Sequence, residues 1–417
     1  MNINPTGTGP HRHVNIRNIN EQFLVDLFDQ LWDQYRQRVP YAGQYEQLIA
    51  QSGDTFCNDH IAFRCYACQQ PCIGMTLLAR IFETLGYSVA GNYSFDDKHL
   101  NAVHLQHTNA ALPKLFISEL RTWELEPSVA SIIYQFVGKA KLPINDQHLR
   151  KLGGLENLEI DARTTLMNQV LGFFHQLPWT APDRLNLERL SQASQYAAWV
   201  GVHGFSVNHF TALINAHTTD ALANIDRTTN ALRKAGVPMK PTIEGAVGSK
   251  LRQTSTESAI VKVPVLEKGQ IIEIERPYAY FELAERGSVI DPQSGESHRF
   301  EGFLGSQATH LFEMTQTSKP NSTASKLPYQ RANPATTPKS PHSPSGYWQC
   351  PVSPFASLPA GLTTPSLHSC GATRPLQSPT LAIGLGEQRI GLGNVRHRHF
   401  FWIIDNSLTD SICNISQ

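Results

Sequence analysis

Apolar residues recur at two different spacings in the first part of the chain, and these spacings predict helices and strands. In residues 20–37 the apolar side chains stand three and four positions apart, the spacing of one buried face of a helix that begins near Asn20. In residues 58–66, NDHIAFRCY, they alternate with other residues, as in a strand. A second helix, MTLLARIFETLG, ends at Gly86. Three more predicted strands follow: YSVAGNY, NAVHLQH and PKLFISELR.

The same order of elements returns after a long helical stretch. Residues 125–198 keep the helical spacing through most of their length, and HGFSVNHFTAL then resumes the strand pattern. A helix ended by Gly236 follows, and AIVKVPVL and GQIIEIERPYAYFELAER are strand-like. His60 stands 26 positions before Gly86, and His209 stands 27 positions before Gly236. We therefore predict an α+β fold in which paired βαβββ modules form a half-open barrel, with a helical insert between them.

The composition of the chain changes abruptly after about Thr315. Residues 320–379 contain 12 prolines among 60 positions, with Ser and Thr between them and no apolar period. A segment of this composition cannot bury a core, so we expect it to be disordered. The predicted organisation is therefore a flexible N-terminus at 1–19, one folded domain at 20–316, and a disordered tail rich in Pro, Ser and Thr at 317–417.

Composition also narrows the function classes. Lys plus Arg and Asp plus Glu both number 35, so the chain has no basic field suited to nucleic acid. No stretch approaches the roughly 20 apolar residues of a membrane span, and the first residues lack the apolar run of a signal peptide. An odd number of cysteines favours reduced thiols and a cytoplasmic location. The pair Cys65 and Cys68 has no second pair downstream, which favours buried thiols over a zinc site.

Alternation along NDHIAFRCY puts His60, Ala62 and Arg64 on one face of a strand whose other face is apolar. The question is why a strand that forms the core carries a histidine and an arginine side by side. In a half-open barrel of paired modules, the first and last strands of each module face the cavity. This gives four related positions: His60, Glu119, His209 and Glu282. Two imidazoles and one carboxylate are the ligands of non-haem iron(II) oxygenases.

Ordinary structural roles compete with this chemistry at each position. A strand histidine can be hydrogen-bonded within the core, His209 has Asn208 and Thr211 nearby in sequence, and Glu282 can pair with Arg286 at the surface. Other histidines also compete as ligands: His99, His104, His107 and His203. Composition and spacing do not choose among these possibilities.

Five motifs in order do choose among them: NDHIAFRCY, SVNHFTALIN, KLRQTSTES, YAYFELAERG and GFLGSQATHLFEMT. Together they resemble the 2-oxoadipate dioxygenase/decarboxylase family over about residues 20–316. This family consists of iron(II) enzymes related to the vicinal-oxygen-chelate fold and to hydroxymandelate synthase. The resemblance implies that His60, His209 and Glu282 bind Fe²⁺. It also implies that Arg64 is a catalytic residue that binds a carboxylate of the substrate.

The resemblance further implies a reaction. With O₂, 2-oxoadipate is decarboxylated and hydroxylated to D-2-hydroxyglutarate and CO₂, a step of lysine catabolism. The polar residues of LRQTS are the next candidates for binding this substrate, although a strand with outward polar residues is the alternative: Arg252, Gln253 and Ser255. The segment GFLGSQAT is a candidate lid, in which Gly302 and Gly305 permit close approach of the backbone.

Two other functions stay open from the sequence. The same fold hosts metal-dependent isomerases, lyases and extradiol dioxygenases, which act on other substrates. A degenerate site would instead leave a metal-free binding module. Oxygen consumption coupled to CO₂ release separates the leading hypothesis from the other enzymes, and the metal content of the purified protein separates an enzyme from a binding module. We expect a small-molecule substrate and no nucleic-acid or membrane partner.

Overall fold

The structure, a computed structural model, describes residues 9–304 of the 417-residue chain, so the tail predicted at 317–417 lies outside the described residues. The helices are α1 (Ile19–Arg38), α2 (Pro40–Ser52), α3 (Met75–Glu83), α4 (Pro127–Val137), α5 (Asp146–Leu152), α6 (Ile160–His175), α7 (Arg184–Ala193), α8 (Gln195–His203) and α9 (Ile225–Lys234). The strands are β1 (Asn58–Tyr66), β2 (Tyr87–Phe95), β3 (Leu100–His107), β4 (Lys114–Leu120), β5 (Val207–Leu213), β6 (Leu251–Ser255), β7 (Ile260–Glu267), β8 (Gln270–Pro277), β9 (Glu282–Arg286), β10 (Ser288–Ile290) and β11 (Ser297–Arg299).

Seven of these strands form one curled sheet in the order β2-β3-β4-β1-β5-β9-β6. The central strands β1 and β5 run antiparallel, while β1 is parallel to β4 and β5 is parallel to β9. Four strands of the first module therefore lie on one side of the centre, and three strands of the second module lie on the other. This confirms the predicted α+β fold of paired modules that form a half-open barrel.

The second module differs from the first in two ways. Strands β7 and β8 lie outside the main sheet and pair with each other as a hairpin. The hairpin turns at Lys268 and Gly269, whose φ angles of 51° and 79° suit a two-residue turn of type I′. The counterpart of β2 is reduced to two isolated bridges, Met239 to Thr256 and Glu244 to Gln253. The predicted strands exist, but β7 and β8 do not belong to the barrel.

The stretch predicted as a helical insert contains α4 to α8. Helix α8 is buried along almost its whole length and lies close to β1. The Tyr66 hydroxyl donates a hydrogen bond to the Ala197 carbonyl, and the Trp199 indole donates one to the Tyr278 carbonyl over 2.6 Å. These bonds fix α8 against the sheet and place two of its aromatic residues beside Arg64.

The N-terminal residues join the folded part of the chain earlier than the sequence suggests. The cap of α1 is Asn18, whose side chain accepts a hydrogen bond from the Glu21 amide, and the helix begins before Asn20. Of the segment expected to be flexible at 1–19, residues 9–14 contain a turn with buried side chains. There His11 Nδ1 lies 2.7 Å from Asp29 Oδ1. These residues therefore pack against α1.

The four cysteines at positions 57 to 72 are free thiols. Cys65 and Cys68 are buried, and burial raises the pKa of both thiols, that of Cys68 to about 11. A thiol with a raised pKa holds its proton at neutral pH and is a poor nucleophile and metal ligand. This arrangement fits the interpretation of this pair as inert core residues.

The last residue of α8 makes stability depend on pH. Burial and the nearby Arg38 and Arg64 cations lower the pKa of His203 to about 3. Its neutral ring donates from Nε2 to the Pro277 carbonyl over 3.1 Å. In the unfolded chain a histidine binds a proton with a pKa of about 6.5. The stabilisation is therefore complete above about pH 6.5 and is lost as the pH falls from 6.5 towards 3.

We expect this histidine to contribute about 2 kcal/mol to the fall in unfolding free energy between pH 7 and pH 5. His203→Gln keeps a donor for the Pro277 carbonyl and removes the titration. Urea denaturation of both proteins at the two pH values measures the effect. The variant should lose less stability on acidification, and equal losses in both proteins would contradict the assignment.

Candidate active site

A cavity opens at the centre of the curled sheet, where the two modules meet. Its wall combines aromatic side chains with a few polar groups, a composition typical of small-molecule sites. The residues that line it are His60, Ala62, Phe63, Arg64, Phe95, Phe116, Ser118, Asn208, His209, Gln253, Tyr280, Glu282, Phe303 and Leu304.

Three buried side chains in this cavity could hold a metal ion, and we call them the triad: His60, His209 and Glu282. The two Nε2 atoms are 3.2 Å apart, and each lies 3.6 Å from an oxygen of Glu282. In the sheet His209 is opposite Ala62, and Glu282 is opposite Thr211, so three neighbouring strands bring the triad together. Within residues 9–304 no other cluster of His, Cys, Asp or Glu meets the same criterion.

The electrostatics of the triad fit a divalent cation. Both Glu282 oxygens are buried and have no hydrogen-bond partner among the residues that the structure describes. Burial, with the carboxylates of Glu244 and Asp59 nearby, raises the pKa of Glu282 well above its usual range. Burial also lowers the pKa of His60 and His209, which keeps both imidazoles neutral. A buried carboxylate is costly without a counter-charge, and a cation beside two neutral imidazoles supplies one.

Each histidine of the triad is oriented by the residue before it. Asp59 Oδ2 lies 2.7 Å from His60 Nδ1, and Asn208 Oδ1 lies 3.0 Å from His209 Nδ1. Neighbouring strand residues normally point to opposite faces, but the β1–β5 ladder shifts register at both places and leaves Asp59 and Asn208 as extra, bulged residues. Each Nδ1–H then donates to its partner, so each Nε2 carries a lone pair on the side of Glu282, and that of His60 accepts from the Thr211 hydroxyl over 3.0 Å.

Arg64 brings a positive charge into the same cavity, on the face of β1 that carries His60. Its guanidinium lies 5.0 Å from the ring centre of Tyr196 and 5.4 Å from that of Trp199, both on α8. Burial lowers the pKa of Arg64 from its ordinary value, but an arginine stays charged in proteins. The two aromatic faces support the cation and limit the orientations of its planar fork.

The residues of the LRQTS motif alternate between the two faces of β6. Gln253 lines the cavity, and its amide donates to Glu244 over 3.0 Å. Arg252 points to the opposite face and pairs with Asp226 and Glu285, so the structure does not bring this predicted substrate-binding residue to the cavity. Ser255 shares the face of Gln253 but does not line the cavity, and its hydroxyl donates to the Thr256 carbonyl.

The residue of the first module that corresponds to Glu282 is Phe116. The sequence analysis placed Glu119 there, and the strand register corrects this. Glu282 is opposite Thr211, two residues after His209, in the parallel pair β5–β9. The same step after His60 leads to Ala62, which is opposite Phe116 in the pair β1–β4. Glu119 lies three residues further on and accepts a hydrogen bond from the Met75 amide at the start of α3.

Two residues that the sequence did not single out as site residues support the triad. The Phe303 ring packs edge-on against His60, with 4.8 Å between ring centres. Arg286 makes a two-pronged ion pair with Asp59 over 2.6 and 2.7 Å, instead of pairing with Glu282. Alternation along β9 places Arg286 on the face of Glu282, which is the one signal that could have found it. Of the predicted lid, residues 302–304 are described and Gly305 lies outside the described residues.

The histidines that competed for the metal have other partners. His99 Nδ1 lies 2.9 Å from Glu124, and His104 Nδ1 lies 2.9 Å from the Tyr93 hydroxyl. His107 Nδ1 accepts a hydrogen bond from the Asn109 amide, and His203 donates to a carbonyl as described above. These four side chains are therefore separate from the triad.

A family model described as 2-oxoadipate dioxygenase/decarboxylase matches residues 27–305, which is more than half of the chain. This protein belongs to the 2-oxoadipate dioxygenase/decarboxylase family. A relative named chloroplastic 2-oxoadipate dioxygenase/decarboxylase, from Arabidopsis thaliana, is 26% identical over 319 residues, covering 71% of this chain and 78% of the relative. The chain is thus a member of a family of oxygen-using enzymes.

Solved structures agree with the fold of this family. The hydroxyglutarate synthase from Oryza sativa, crystallised in complex with 2-oxoadipate, is 24% identical with a TM-score of 0.57 and covers 72% of this chain and 94% of its own. A glyoxalase superfamily protein from Ralstonia eutropha JMP134 is 19% identical with a TM-score of 0.61 and covers 72% and 92%. Among residues 9–304, no helix has the length and apolar character needed to cross a membrane.

Proposed function

We propose that this protein converts 2-oxoadipate and O₂ to D-2-hydroxyglutarate and CO₂, with Fe²⁺ held by His60, His209 and Glu282. The observation that carries the proposal is the Glu282 carboxylate, which is buried without a hydrogen-bond partner in the described part of the chain, beside two neutral imidazoles. Membership of the family supports it. The reaction balances, since C₆H₈O₅ and O₂ give C₅H₈O₅ and CO₂.

The triad would hold the metal through two Nε2 atoms and one carboxylate. A site of two histidines and one carboxylate leaves coordination positions open for substrate and dioxygen. When bound, iron supplies the activation of dioxygen and a point of attachment for the oxo acid. Asp59 and Asn208 keep both imidazole rings turned with Nε2 towards that position.

Arg64 would bind one carboxylate of the substrate. The planar fork of a guanidinium matches a carboxylate through two parallel hydrogen bonds. Because Tyr196 and Trp199 hold this fork in place, the substrate would be fixed at a second point in addition to the metal, which orients it for reaction. Gln253 adds a second polar group to the wall of the cavity.

Aromatic side chains shape the rest of the cavity. The Tyr280 ring stacks on His209 with ring centres 4.9 Å apart, and Phe303 and Phe116 pack together near His60 with their centres 4.9 Å apart. These rings exclude water from the triad and strengthen the electrostatic interactions within it.

The domain limits and the cellular setting belong to the same proposal. We take residues 20–316 as the catalytic domain, and the family match over 27–305 supports these limits. We also propose a cytoplasmic place in lysine catabolism. The two plant relatives are named as plastid proteins, so fractionation of cells that express the full chain is the appropriate test of location.

The full chain, purified without oxygen and loaded with Fe²⁺, should consume O₂ and release CO₂ in equal amounts when 2-oxoadipate and air are added. An oxygen electrode and CO₂ trapping follow the gases, and chiral chromatography identifies the 2-hydroxyglutarate. His60→Ala should give no signal. Protein that binds iron but consumes no O₂ with 2-oxoadipate would contradict the proposal, and the five- and seven-carbon 2-oxo acids would then be tested.

A further inference from the structure

Arg286 is fully buried, yet it does not line the cavity. Its Nε and Nη2 atoms donate to the two oxygens of Asp59 over 2.6 and 2.7 Å. Its Nη1 atom donates to the carbonyls of Phe300 and Gly302 over 3.1 and 2.8 Å. One planar group therefore holds two parts of the molecule at once.

The first of these parts orients a member of the triad. Asp59 is the residue whose other contact is His60 Nδ1, at 2.7 Å. Both Asp59 oxygens accept hydrogen bonds from the Arg286 guanidinium, so the charge of this buried carboxylate is matched by a buried cation. A charged acceptor of this kind fixes the imidazole ring and strengthens it as a ligand.

The second part is residues 300–304, which we call the closing segment. Its Phe303 ring packs on His60, and the Phe303 amide donates to the Tyr93 hydroxyl over 3.1 Å. Glu301 pairs with Lys114 over 2.5 Å. Arg286 donates two hydrogen bonds to the backbone of this segment, one on either side of Glu301.

The geometry points to Arg286 as a positioning residue that couples the closing segment to the orientation of His60. A guanidinium cannot bend, so a shift of the Phe300 and Gly302 carbonyls moves the fork that holds Asp59, and with it the imidazole. The position of the closing segment and the orientation of the His60 ring are therefore coupled. This inference rests on the proposed function, because His60 must be a metal ligand for the coupling to reach the chemistry.

A purely structural salt bridge is the competing explanation, and the chain offers a matched control for it. Arg121 is also a buried arginine, with ion pairs to Asp96 and Glu124 and a hydrogen bond to the Leu100 carbonyl. It does not line the cavity. Loss of Arg121 should lower stability and leave the triad alone, whereas loss of Arg286 should change the triad as well.

The first experiment compares Arg286→Gln and Arg286→Lys with Arg121→Gln in the full chain. Co²⁺ replaces iron, so calorimetry gives the affinity and visible absorption reports the ligand geometry without turnover. We expect Arg286→Gln to weaken Co²⁺ binding about 10- to 100-fold and to alter the spectrum. In the iron-loaded protein, assayed separately by oxygen consumption, the same variant should raise KM for 2-oxoadipate. Arg286→Lys keeps a cation without the fork and should recover part of the affinity. Arg121→Gln should change neither affinity nor spectrum.

The second experiment tests the coupling itself with a double-mutant cycle on Co²⁺ affinity. Asp59→Asn perturbs one end and Phe303→Leu the other. Their effects should differ from additivity by at least threefold in the presence of Arg286, and should add in the Arg286→Lys background. If Arg286→Gln does not fold, this cycle decides the matter by itself.

The outcomes separate this inference from the proposed function. A wild-type protein that binds no Co²⁺ overturns both. Wild-type binding that Arg286→Gln leaves unchanged, or additive effects of Asp59→Asn and Phe303→Leu, overturns the coupling alone and leaves the triad as the proposed metal site.

Discussion

Glu282→Gln is expected to remove stoichiometric metal binding and to lower kcat/KM by more than the roughly 100-fold that loss of an outer partner costs. The amide keeps the shape of the side chain but loses the charge that offsets a divalent cation. The metal-free variant should be at least as stable as the metal-free wild type, because the substitution removes a buried carboxylate without a hydrogen-bond partner in residues 9–304. The stability of the metal-free variant distinguishes a metal-binding carboxylate from a structural one, because loss of a structural carboxylate would lower the free energy of unfolding.

Metal analysis by mass spectrometry and thermal unfolding without metal measure the two effects of Glu282→Gln. Glu119→Gln is the matched control, because Glu119 occupies the equivalent region of the other module and accepts from the Met75 amide at the start of α3. Its loss should cost about 1 kcal/mol of stability, as at other helix starts, and leave the metal content unchanged. Retention of metal by Glu282→Gln would remove this residue from the proposed ligands.

Local patterns predict the helices and strands of this fold, but they do not predict which strands pair with each other. The alternation in β1 and the helical spacing in α1 and α3 arise within each segment, so the sequence is sufficient. The strands β7 and β8 have a strand pattern as well. They pair with each other through a turn at Lys268 and Gly269, and nothing in their alternation shows that they leave the main sheet.

In the candidate site, too, local patterns predict some features and long-range strand pairing determines the others. Alternation alone puts His60 and Arg64 on one face, and family resemblance adds His209 and Glu282. Alternation also separates Gln253 from its neighbour in sequence, but it does not show which of the two faces the cavity. That choice depends on how β6 pairs with β9, which is a long-range contact.

Strand alternation does not predict the orienting residues Asp59 and Asn208, and the sequence offers Asn208 only as a structural partner of His209. Asp59 and Asn208 precede their histidines directly, so regular alternation directs them away from the cavity. A bulge at each position turns the side chain back towards Nδ1 of its neighbour. The sequence shows only an Asp-His and an Asn-His pair, and bulges depend on how β1 and β5 pair across the two modules.

Arg64→Met is expected to lower kcat/KM for 2-oxoadipate by about 30- to 5000-fold, the factor that corresponds to loss of one partner of a buried, hydrogen-bonded charge pair. Arg64→Lys should fall between this variant and the wild type, since a lysine ammonium keeps the charge but not the two-pronged geometry. Metal content should not change, because Arg64 is separate from the triad. Steady-state oxygen consumption and metal analysis measure these effects.

Arg252→Met is the matched control for Arg64→Met. Arg252 is also a buried arginine, but it lies on the face of β6 that points away from the cavity and pairs with Asp226 and Glu285. Its kcat/KM should stay within about twofold of the wild type, since surface-directed ion pairs contribute little to a distant site. A comparable loss in both arginine variants would argue for a general structural effect and against a carboxylate contact at Arg64.

A second substrate identifies which carboxylate Arg64 binds. 2-Oxohexanoate keeps the oxo acid end of 2-oxoadipate and lacks the far carboxylate. If Arg64 binds the far carboxylate, the wild type should prefer 2-oxoadipate and Arg64→Met should lose that preference by the same factor as its activity. If Arg64 binds the carboxylate beside the keto group, both substrates should lose activity equally in the variant. Unchanged kinetics with both substrates would exclude Arg64 from substrate binding, because a buried cation that contacts the substrate cannot be removed without cost.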